Sequence, residues 1–447
     1  MATPGQSQPR VSLKSGAQRL PKRRWQPWKS VVFCLLIAGS VFSRSTSAET
    51  RPGIYNPLHE YDTRPVEDRF SRLLAQWDAG GDAKLDYSGD IPFLMSLLKE
   101  LEVPVSSQML VFTATSLQKG LISARNPRAL YFNDDTYVGF VPRGRVEVIS
   151  LDPTLGGVFY IFDRLQPGRR PVVRRSADCT NCHAPRHMEN IPGLVIESVI
   201  PGLTGGGERA FRREQSGHAI PLSERFGGWH LTGTGESMPP NHANQLLIRK
   251  NGEANEVPNP PGERCDLTRY PLSTSDLLAQ LLHEHQVGFA NRTMQAAYKC
   301  RELIAADSLD EAALRELSAP LVQYLLFHEE APLSPGMIGE SPFAANFMAA
   351  GKRDSAGRSL RELDCQTRIL KYRCSYMIYS PALTGLPTPL RQRVLKELTA
   401  ELDEGKIKSH LPAEERTAIR QILLETMPEF REISHSTPGP ANSESGK

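Results

Sequence analysis

The chain has 447 residues, of which 39% are hydrophobic and 23% are charged. That length suits two or more domains of roughly 150 residues each, and the composition excludes collagen, a coiled coil and wholesale disorder. The chain carries 53 basic and 50 acidic residues, and this near balance gives no indication of nucleic-acid binding.

The first 48 residues predict a secretory signal peptide. They contain eight basic residues and no acidic one, and the apolar run 31–42 is followed by the small residues Thr46 and Ala48. Because a membrane-spanning helix needs about 20 apolar residues, cleavage after Ala48 is expected rather than an N-terminal anchor. Removal of the leader leaves 45 basic and 50 acidic residues, a formal charge of −5. The protein is therefore expected in the periplasm.

Two helices and a sheet are predicted next. Apolar spacing predicts helices over residues 66–80 and 90–103, whereas residues 106–118 fit either a helix or a strand. Alternating segments over 129–163, with turn residues at 133–135, predict a small antiparallel sheet just before a pair of cysteines.

The C-terminal half reads as mainly helical. Residues 251–263 predict a loop at a domain boundary, and a long helix follows, capped by Ser273 or Ser275. Further helices are predicted over 309–327, 387–402 and 412–427. We therefore expect an α+β fold, with a haem-binding α+β domain over 49–255, an α-helical domain over 256–430 and a disordered tail over 431–447.

The stretch Asp-Cys-Thr-Asn-Cys-His at 178–183 carries the strongest chemical signal, because C-x-x-C-H is the attachment signature of c-type haem. Residues three apart on a helical turn point the same way, so Cys179 and Cys182 can both reach one edge of a porphyrin. His183 is then the proximal ligand of one covalent haem c. Half of a zinc site and a dithiol or structural pair are alternatives, although no second C-x-x-C, no H-x3–5-H and no βαβ context accompany the motif.

The second axial position of the iron decides between electron transfer and reactivity, because an open position can activate small molecules. His242, Met238 and His218 are the candidate distal ligands, and no protein ligand is a fourth alternative.

Two further sets of residues bear on the site. Four arginines just before the motif can pair with haem propionates, although a solvated basic loop is favoured; they are Arg169, Arg170, Arg174 and Arg175. The cysteines outside the motif allow three disulfide pairings, with a weak preference for Cys265–Cys300 and Cys365–Cys374.

Five stretches resemble, in the same order, a family of exported bacterial proteins with a cytochrome c domain and one C-x-x-C-H motif. They are residues 126–141, 178–201, 223–234, 281–286 and 361–383. Family members carry a histidine next to a methionine after the Thr-Gly-Thr. Here His242 matches that histidine, while Met238 lies four residues earlier. Many members have tyrosine at His230 and an apolar residue at Cys365.

These observations predict an extracytoplasmic monohaem cytochrome c that transfers single electrons to a redox partner protein, with room for peripheral membrane association. Two alternatives follow from the length of the chain, which exceeds what an electron carrier needs. One is a haem-dependent oxidoreductase or peroxidase-like enzyme, and the other is a haem-based redox or gas sensor scaffold.

Overall fold

The computed structural model describes residues 52–80, 84–212, 215–233, 240–335, 337, 339, 342–403 and 409–436. Residues Thr50–Lys447 form one compact unit, which contains all of these. The predicted signal peptide and Met238 lie outside the described residues. None of the helices described is long and apolar enough to cross a membrane.

A six-stranded antiparallel sheet organises the N-terminal half, with its strands in chain order. The strands are β1 Met109–Val111, β2 Arg128–Phe132, β3 Thr136–Phe140, β4 Val146–Asp152, β5 Gly156–Phe162 and β6 Val173–Arg175. The predicted sheet over 129–163 is confirmed, and β1 and β6 extend it on either side. Residues 106–118, which fitted either element, contain a strand.

Side-chain hydrogen bonds stabilise the tight turns that join consecutive strands of the sheet. The Asn133 Oδ1 atom accepts hydrogen bonds from the backbone N–H groups of Asp135 and Thr136, at 3.1 and 2.8 Å. In the next turn, Asp152 Oδ1 accepts from the N–H groups of Thr154 and Leu155. Asn and Asp form such turns because their short side chains mimic a backbone acceptor.

One face of the sheet packs against two N-terminal helices, α1 Arg69–Asp78 and α2 Asp90–Glu100, which confirms both helix predictions. Asp68 caps α1 by accepting from the Ser71 N–H, and its other oxygen accepts from the Tyr160 hydroxyl of β5. The apolar contact includes Phe70, Phe93 and Phe162, all fully buried. The first core of the protein lies on this face.

The opposite face of the sheet is partly covered by the long helix α4 Leu277–Ala305. Its cap is Asp276, whose side chain accepts from the N–H groups of Leu278 and Ala279, so the prediction of Ser273 or Ser275 as cap was wrong. Ser275 instead donates to the His230 carbonyl and accepts from the Leu110 N–H. A second core forms between α4, this end of the sheet and the C-terminal helices.

The remaining elements complete an α+β fold. The helices are α3 Thr180–His183, α5 Glu311–Leu325, α6 Phe343–Ala349, α7 Pro381–Thr384, α8 Thr388–Glu401, α9 Ala413–Thr426 and α10 Pro428–Ser436. Two further antiparallel pairs are present: β7 Ser198–Pro201 pairs with β8 Gly207–Arg212, and β9 Gln245–Lys250 pairs with β10 Glu253–Pro258.

Three boundaries differ from the sequence analysis. Residues 253–258 were expected in a loop but form β10, because every residue of that strand pairs with β9. Helix α10 includes residues 431–436 of the predicted disordered tail, while residues 437–447 lie outside the described part. The second core joins Trp229 to Leu277 and so runs across the boundary placed at residue 256.

The favoured disulfide pairings are not formed, since every described cysteine is a free thiol. Cys265 is buried with its sulfur 3.9 Å from His230 Nε2, whereas Cys300 is buried on α4. Cys374 is also buried, and Cys365 is only partly exposed.

Candidate functional site

The cysteine motif forms a compact helical turn that directly follows the sheet. Residues Ala177–Cys179 make one 3-10 turn and α3 continues from it. Local bonds stabilise the turn: Thr180 Oγ1 donates to the Ala177 carbonyl at 2.6 Å, and Asn181 Nδ2 donates to the Asp178 carbonyl at 3.0 Å. The two thiols are therefore on one helical turn, as the spacing predicts.

Both thiols of the motif are free, and Cys182 is exposed while Cys179 is partly buried. Burial raises the pKa of the Cys179 thiol; a hydrogen bond with Ser176 opposes this, whereas the charges of Glu147 and Asp178 reinforce it. Because the thiolate is the form that attacks disulfides, Cys179 is held in its less reactive, protonated form.

His183 is oriented by a backbone carbonyl. Its Nδ1 lies 3.0 Å from the Gly193 oxygen, so Nδ1 carries the proton in the neutral ring and donates it to that carbonyl. The Nε2 atom makes no hydrogen bond within the described residues. Burial of the ring lowers the pKa of His183 to about 4, so the imidazole is neutral at neutral pH. One ring nitrogen is therefore held by the protein and the other is free, which is also how metal-binding histidines are commonly oriented.

The segment after α3 is held by three separate elements. The Gly157 N–H of β5 donates to the Pro192 carbonyl at 2.9 Å. Asn291 of α4 bonds both the N–H and the carbonyl of Leu194, at 2.8 and 2.9 Å. The Ile54 N–H of the N-terminal arm donates to the Asn190 carbonyl at 3.1 Å. The Gly193 carbonyl that orients His183 is therefore positioned by tertiary contacts.

Beside α3, the sheet presents what we term the α3 face, which points away from α1 and α2. Residues paired directly across neighbouring strands point the same way, and so do residues two apart along one strand. By these two relations the α3 face contains Arg128, Leu130, Gly139, Glu147, Ile149, Phe159, Ile161 and Arg174. The Phe159 ring lies 4.9 Å from the His183 ring, centroid to centroid. Leu130 and Ile149 are partly exposed, so part of the α3 face is not covered by other side chains.

A charged pair lies on the α3 face. Arg128 Nη1 and Glu147 Oε2 are 3.4 Å apart, while Arg128 Nε and Glu147 Oε1 are buried with no hydrogen-bond partner in the described part of the chain. A Cβ added to Gly139 would lie 3.5 Å from Glu147 Oε2 and 3.7 Å from Arg128 Cδ. The glycine therefore leaves room beside this charged pair.

A cavity of about 620 Å³ adjoins both the motif and the α3 face. Its lining includes Asp178, which directly precedes the first cysteine, Ser176, which lies three residues before that cysteine, and Ile161 of β5. Leu117 and Leu121 also line it although 52% and 38% exposed. This volume is in the range of small-molecule and cofactor sites, about 300–1,000 Å³.

The residues fit a covalent haem on four independent observations. The two thiols are unpaired on one turn, the histidine has one held and one free nitrogen, polar atoms without partners lie on the α3 face, and a cavity of suitable size adjoins the motif.

His218, one of the distal candidates, lies in the second core. Its Nδ1 is 2.7 Å from His285 Nδ1, and its Nε2 is 3.3 Å from the His328 carbonyl oxygen. His285 Nε2 in turn is 2.7 Å from the Ser375 hydroxyl, and the His218 ring stacks on Tyr324 at 4.2 Å. Both nitrogens of His218 are therefore engaged by protein atoms.

His242 is partly exposed and stacks on Phe211 of β8, with ring centroids 3.3 Å apart. Burial lowers the pKa of its ring. Neither His242 nor His218 contacts Cys179, Cys182 or His183, and Met238 lies outside the described residues. His283 packs on Phe132 and Tyr137, whereas His285 contacts His218.

The arginines before the motif have separate partners. Arg170 lies over the Trp77 ring at 4.2 Å and pairs with Asp78, and Arg175 lies over the Tyr61 ring at 4.6 Å. Arg169 contacts Gln166. Only Arg174 of the four lines the cavity.

Several residues at the site were not identified from the sequence: Arg128, Glu147, Gly193, Arg145 and Arg164. Glu147 lies between the apolar residues Val146 and Val148 in β4. Because successive side chains of a strand point to opposite faces, Glu147 points to the other face of the sheet from these two valines. Its pairing with Arg128 depends on strand register and was not accessible from one strand alone.

Within the described residues, no cluster of three or more histidine, cysteine, aspartate or glutamate side chains is arranged to hold a metal ion. Comparisons of the chain with protein-family models, with curated proteins and with solved structures each gave no match.

Proposed function

We propose that this protein is a monohaem c-type cytochrome, exported to the periplasm, that transfers single electrons. Cys179 and Cys182 would bind the haem covalently, and His183 Nε2 would bind its iron. When bound, the haem supplies a one-electron couple whose potential depends on its axial ligands and surroundings.

The hydrogen bond from His183 Nδ1 to the Gly193 carbonyl is the observation that supports this proposal most directly. It selects the tautomer with a free Nε2, and burial keeps the ring neutral. A histidine so held loses little freedom on binding a metal and becomes a better electron donor to it. A dithiol pair or a plain disulfide gives no reason for this arrangement of His183.

The surrounding residues have separate roles in the proposal. The α3 face supplies apolar contact through Leu130, Ile149 and Ile161, which excludes water. The Arg128–Glu147 pair puts charged groups on the same face, where a low dielectric strengthens their effect on a nearby charge.

Export is part of the proposal and rests on the basic leader and the apolar run over 31–42. A redox partner protein is expected because a single one-electron centre must receive and deliver its electron elsewhere. Peripheral membrane association agrees with a periplasmic location, and nucleic acid is not an expected partner, given the formal charge of −5 after residue 48.

A haem-dependent oxidoreductase, or a gas or redox sensor, is the second candidate. Its support is the engagement of both His218 nitrogens and the stacking of His242 on Phe211, which favour an iron whose sixth position exchanges. If that is so, the ferrous protein will bind carbon monoxide. A low-spin spectrum that carbon monoxide does not change would instead support the electron-transfer function with a protein ligand.

The test of haem attachment uses the full chain expressed with a cytochrome c maturation system. The alkaline-pyridine spectrum should give about one haem c per wild-type chain, and haem should stay with the protein on a denaturing gel. Cys179→Ala with Cys182→Ala should abolish this retention, whereas the control Cys365→Ala should keep it. A wild-type chain that matures without covalent haem contradicts the proposal, and bound zinc in that sample would favour the zinc alternative.

A further inference from the structure

The cavity beside the motif has an uneven distribution of charge. Three arginines line it: Arg145, Arg164 and Arg174. Asp178 is the carboxylate among its lining residues. Leu117, Leu121 and Ile161 add apolar side chains, and Gln118, Ser176 and two glycines complete the lining. A ligand that fits such a lining is flat or apolar on one part and negatively charged on another.

The three arginines differ in how fully their hydrogen-bonding capacity is used. Arg174 Nη1 pairs with Asp163 at 2.8 Å, although about half of each side chain is exposed. Arg164 Nη2 donates to the Arg143 carbonyl at 2.8 Å. The guanidinium of Arg145 makes no hydrogen bond or ion pair within the described residues, whereas its backbone is bonded by Gln118 through both the N–H and the carbonyl.

Arg145 is therefore a guanidinium on a fixed backbone with no protein carboxylate as its partner. Arginine presents a planar fork of donors that matches a carboxylate in two parallel hydrogen bonds. The cavity also begins at Ser176 and Asp178, next to the first cysteine of the motif. Hence a ligand bound covalently at the motif would extend into a space that contains cationic donors.

We propose that this cavity binds the carboxylate edge of the haem, with Arg145 as the main propionate partner and Arg164 and Arg174 as supporting charges. This inference rests on the proposed function. The vinyl edge of the porphyrin is held at Cys179 and Cys182, the propionate edge meets the arginines, and Leu117 and Leu121 cover part of the ring. Arg145 is a positioning residue, because it sets the charge around the haem without touching the iron.

The arginines of this proposed propionate site differ from those that the sequence suggested. Arg170 and Arg175 are engaged by Trp77 and Tyr61, so only Arg174 of that group contributes. A haem propionate and a free small carboxylic acid both carry a carboxylate that the arginines could bind. The experiment separates these two sources.

The experiment compares haem-loaded wild type with Arg145→Gln, Arg145→Lys and the double variant Arg145→Gln/Arg174→Gln. Haem content is measured first by the pyridine spectrum. Reduction potential is then measured by redox titration, and propionate bands by resonance Raman spectroscopy. Arg169→Gln is the matched control, because it removes the same charge just before the strand β6 that contains Arg174, but outside the cavity lining.

Loss of a positive charge next to a propionate favours the oxidised haem. At a fixed potential, we expect the ratio of oxidised to reduced haem in the double variant to rise about tenfold, which is about 59 mV for one electron. Arg145→Gln alone should give a smaller rise and a shifted propionate band. Arg145→Lys keeps the charge but loses the fork, so its potential should stay close to wild type while its propionate band shifts. Arg169→Gln should leave both unchanged.

Three results would overturn the inference. If Arg145→Gln and Arg169→Gln retain full haem and behave alike in potential and Raman bands, the arginines do not bind the propionates. If succinate shifts the spectrum of the wild type saturably, but not that of Arg145→Gln, the cavity takes a free carboxylate instead. A wild type without covalent haem overturns both this inference and the proposed function.

Discussion

His183 and Gly193 hydrogen-bond to each other twice. The His183 Nδ1 lies 3.0 Å from the Gly193 carbonyl oxygen, and the Gly193 N–H donates to the His183 carbonyl at 2.8 Å. The two bonds close a loop after α3, so that the orientation of the imidazole depends on the position of one glycine.

Gly193→Ala should disturb this loop. A Cβ there would lie 2.4 Å from Met188 Cε and 2.7 Å from Asn291 Oδ1, so these side chains or the loop backbone must shift, and the bonds from Asn291 to Leu194 are disturbed. We expect a loss of about 1–3 kcal/mol in the free energy of unfolding, measured by urea denaturation. We also expect the reduction potential of the haem-loaded protein to rise, because a weaker bond from Nδ1 makes His183 a poorer electron donor.

Gly206→Ala is the control for this substitution, since a Cβ at Gly206 meets no atom within 4 Å. Its stability should stay within about 0.5 kcal/mol of wild type. If Gly193→Ala leaves both the stability and the potential unchanged, the Gly193 carbonyl does not orient His183.

Glu284→Gln should destabilise the protein strongly. Glu284 Oε1 lies 2.7 Å from Arg212 Nη2, Glu284 Oε2 lies 4.0 Å from Arg225 Nε, and all three side chains are almost fully buried. Removal of the carboxylate charge leaves two buried guanidinium groups uncompensated, which typically costs about 3–5 kcal/mol. Chemical denaturation measures the loss.

The matched control is Glu208→Gln, which removes the partner of Arg249 from an exposed pair of 2.9 Å. Exposed pairs contribute about 0–1 kcal/mol. Equal losses of unfolding free energy in the two variants would mean that burial does not increase the contribution of the Glu284 ion pairs to stability.

Acid should destabilise the haem-loaded protein between about pH 6.5 and pH 4. Burial lowers the pKa of His218 to about 3, of His230 to about 4 and of His283 to about 3, and that of His285 well below 6.5. As pH falls through 6.5, the unfolded chain binds protons that the folded chain does not, so the free energy of unfolding decreases. Urea denaturation at several pH values measures the slope.

His283→Leu should reduce that slope by about one proton, or about 1.4 kcal/mol per pH unit. His283 suits this test because its Nδ1 is buried with no partner within the described residues and its ring packs on Phe132 and Tyr137. Burial raises the pKa of Glu330 to about 7, which opposes the histidines, so Glu330→Gln should make the loss on acidification steeper. Unchanged slopes in both variants would contradict this account.

The processed, haem-loaded protein should contain four free thiols. The described chain has six, and the proposed haem attachment uses Cys179 and Cys182. A thiol-reactive dye should titrate four groups in denaturant without reductant, namely Cys265, Cys300, Cys365 and Cys374. In the native protein the reaction should be slow even at the partly exposed Cys365, since burial raises the pKa of its thiol to about 12. A count of two free thiols, or of none, would contradict this prediction and support the disulfide pairings that the sequence favoured.

Local patterns predicted the elements well, and the reasons are physical. Alternation of side chains over 129–163 predicted β2 to β5, because successive side chains of a strand point to opposite faces. The helix over 66–80 followed from its apolar spacing, but the cap of α4 was misassigned. Four polar residues, 273–276, precede that helix, and only the backbone geometry selects Asp276 among them.

The sequence by itself determined that Cys179, Cys182 and His183 lie close together, since their spacing places them on one helical turn. Strand alternation determined the sheet in the same way. Only the tertiary structure decided what surrounds them: the Gly193 carbonyl on His183, the Arg128–Glu147 pair, and Arg145 in the cavity. Those contacts depend on strand register and on the path of loops between distant elements, which are selected by the burial of apolar surface across the whole fold.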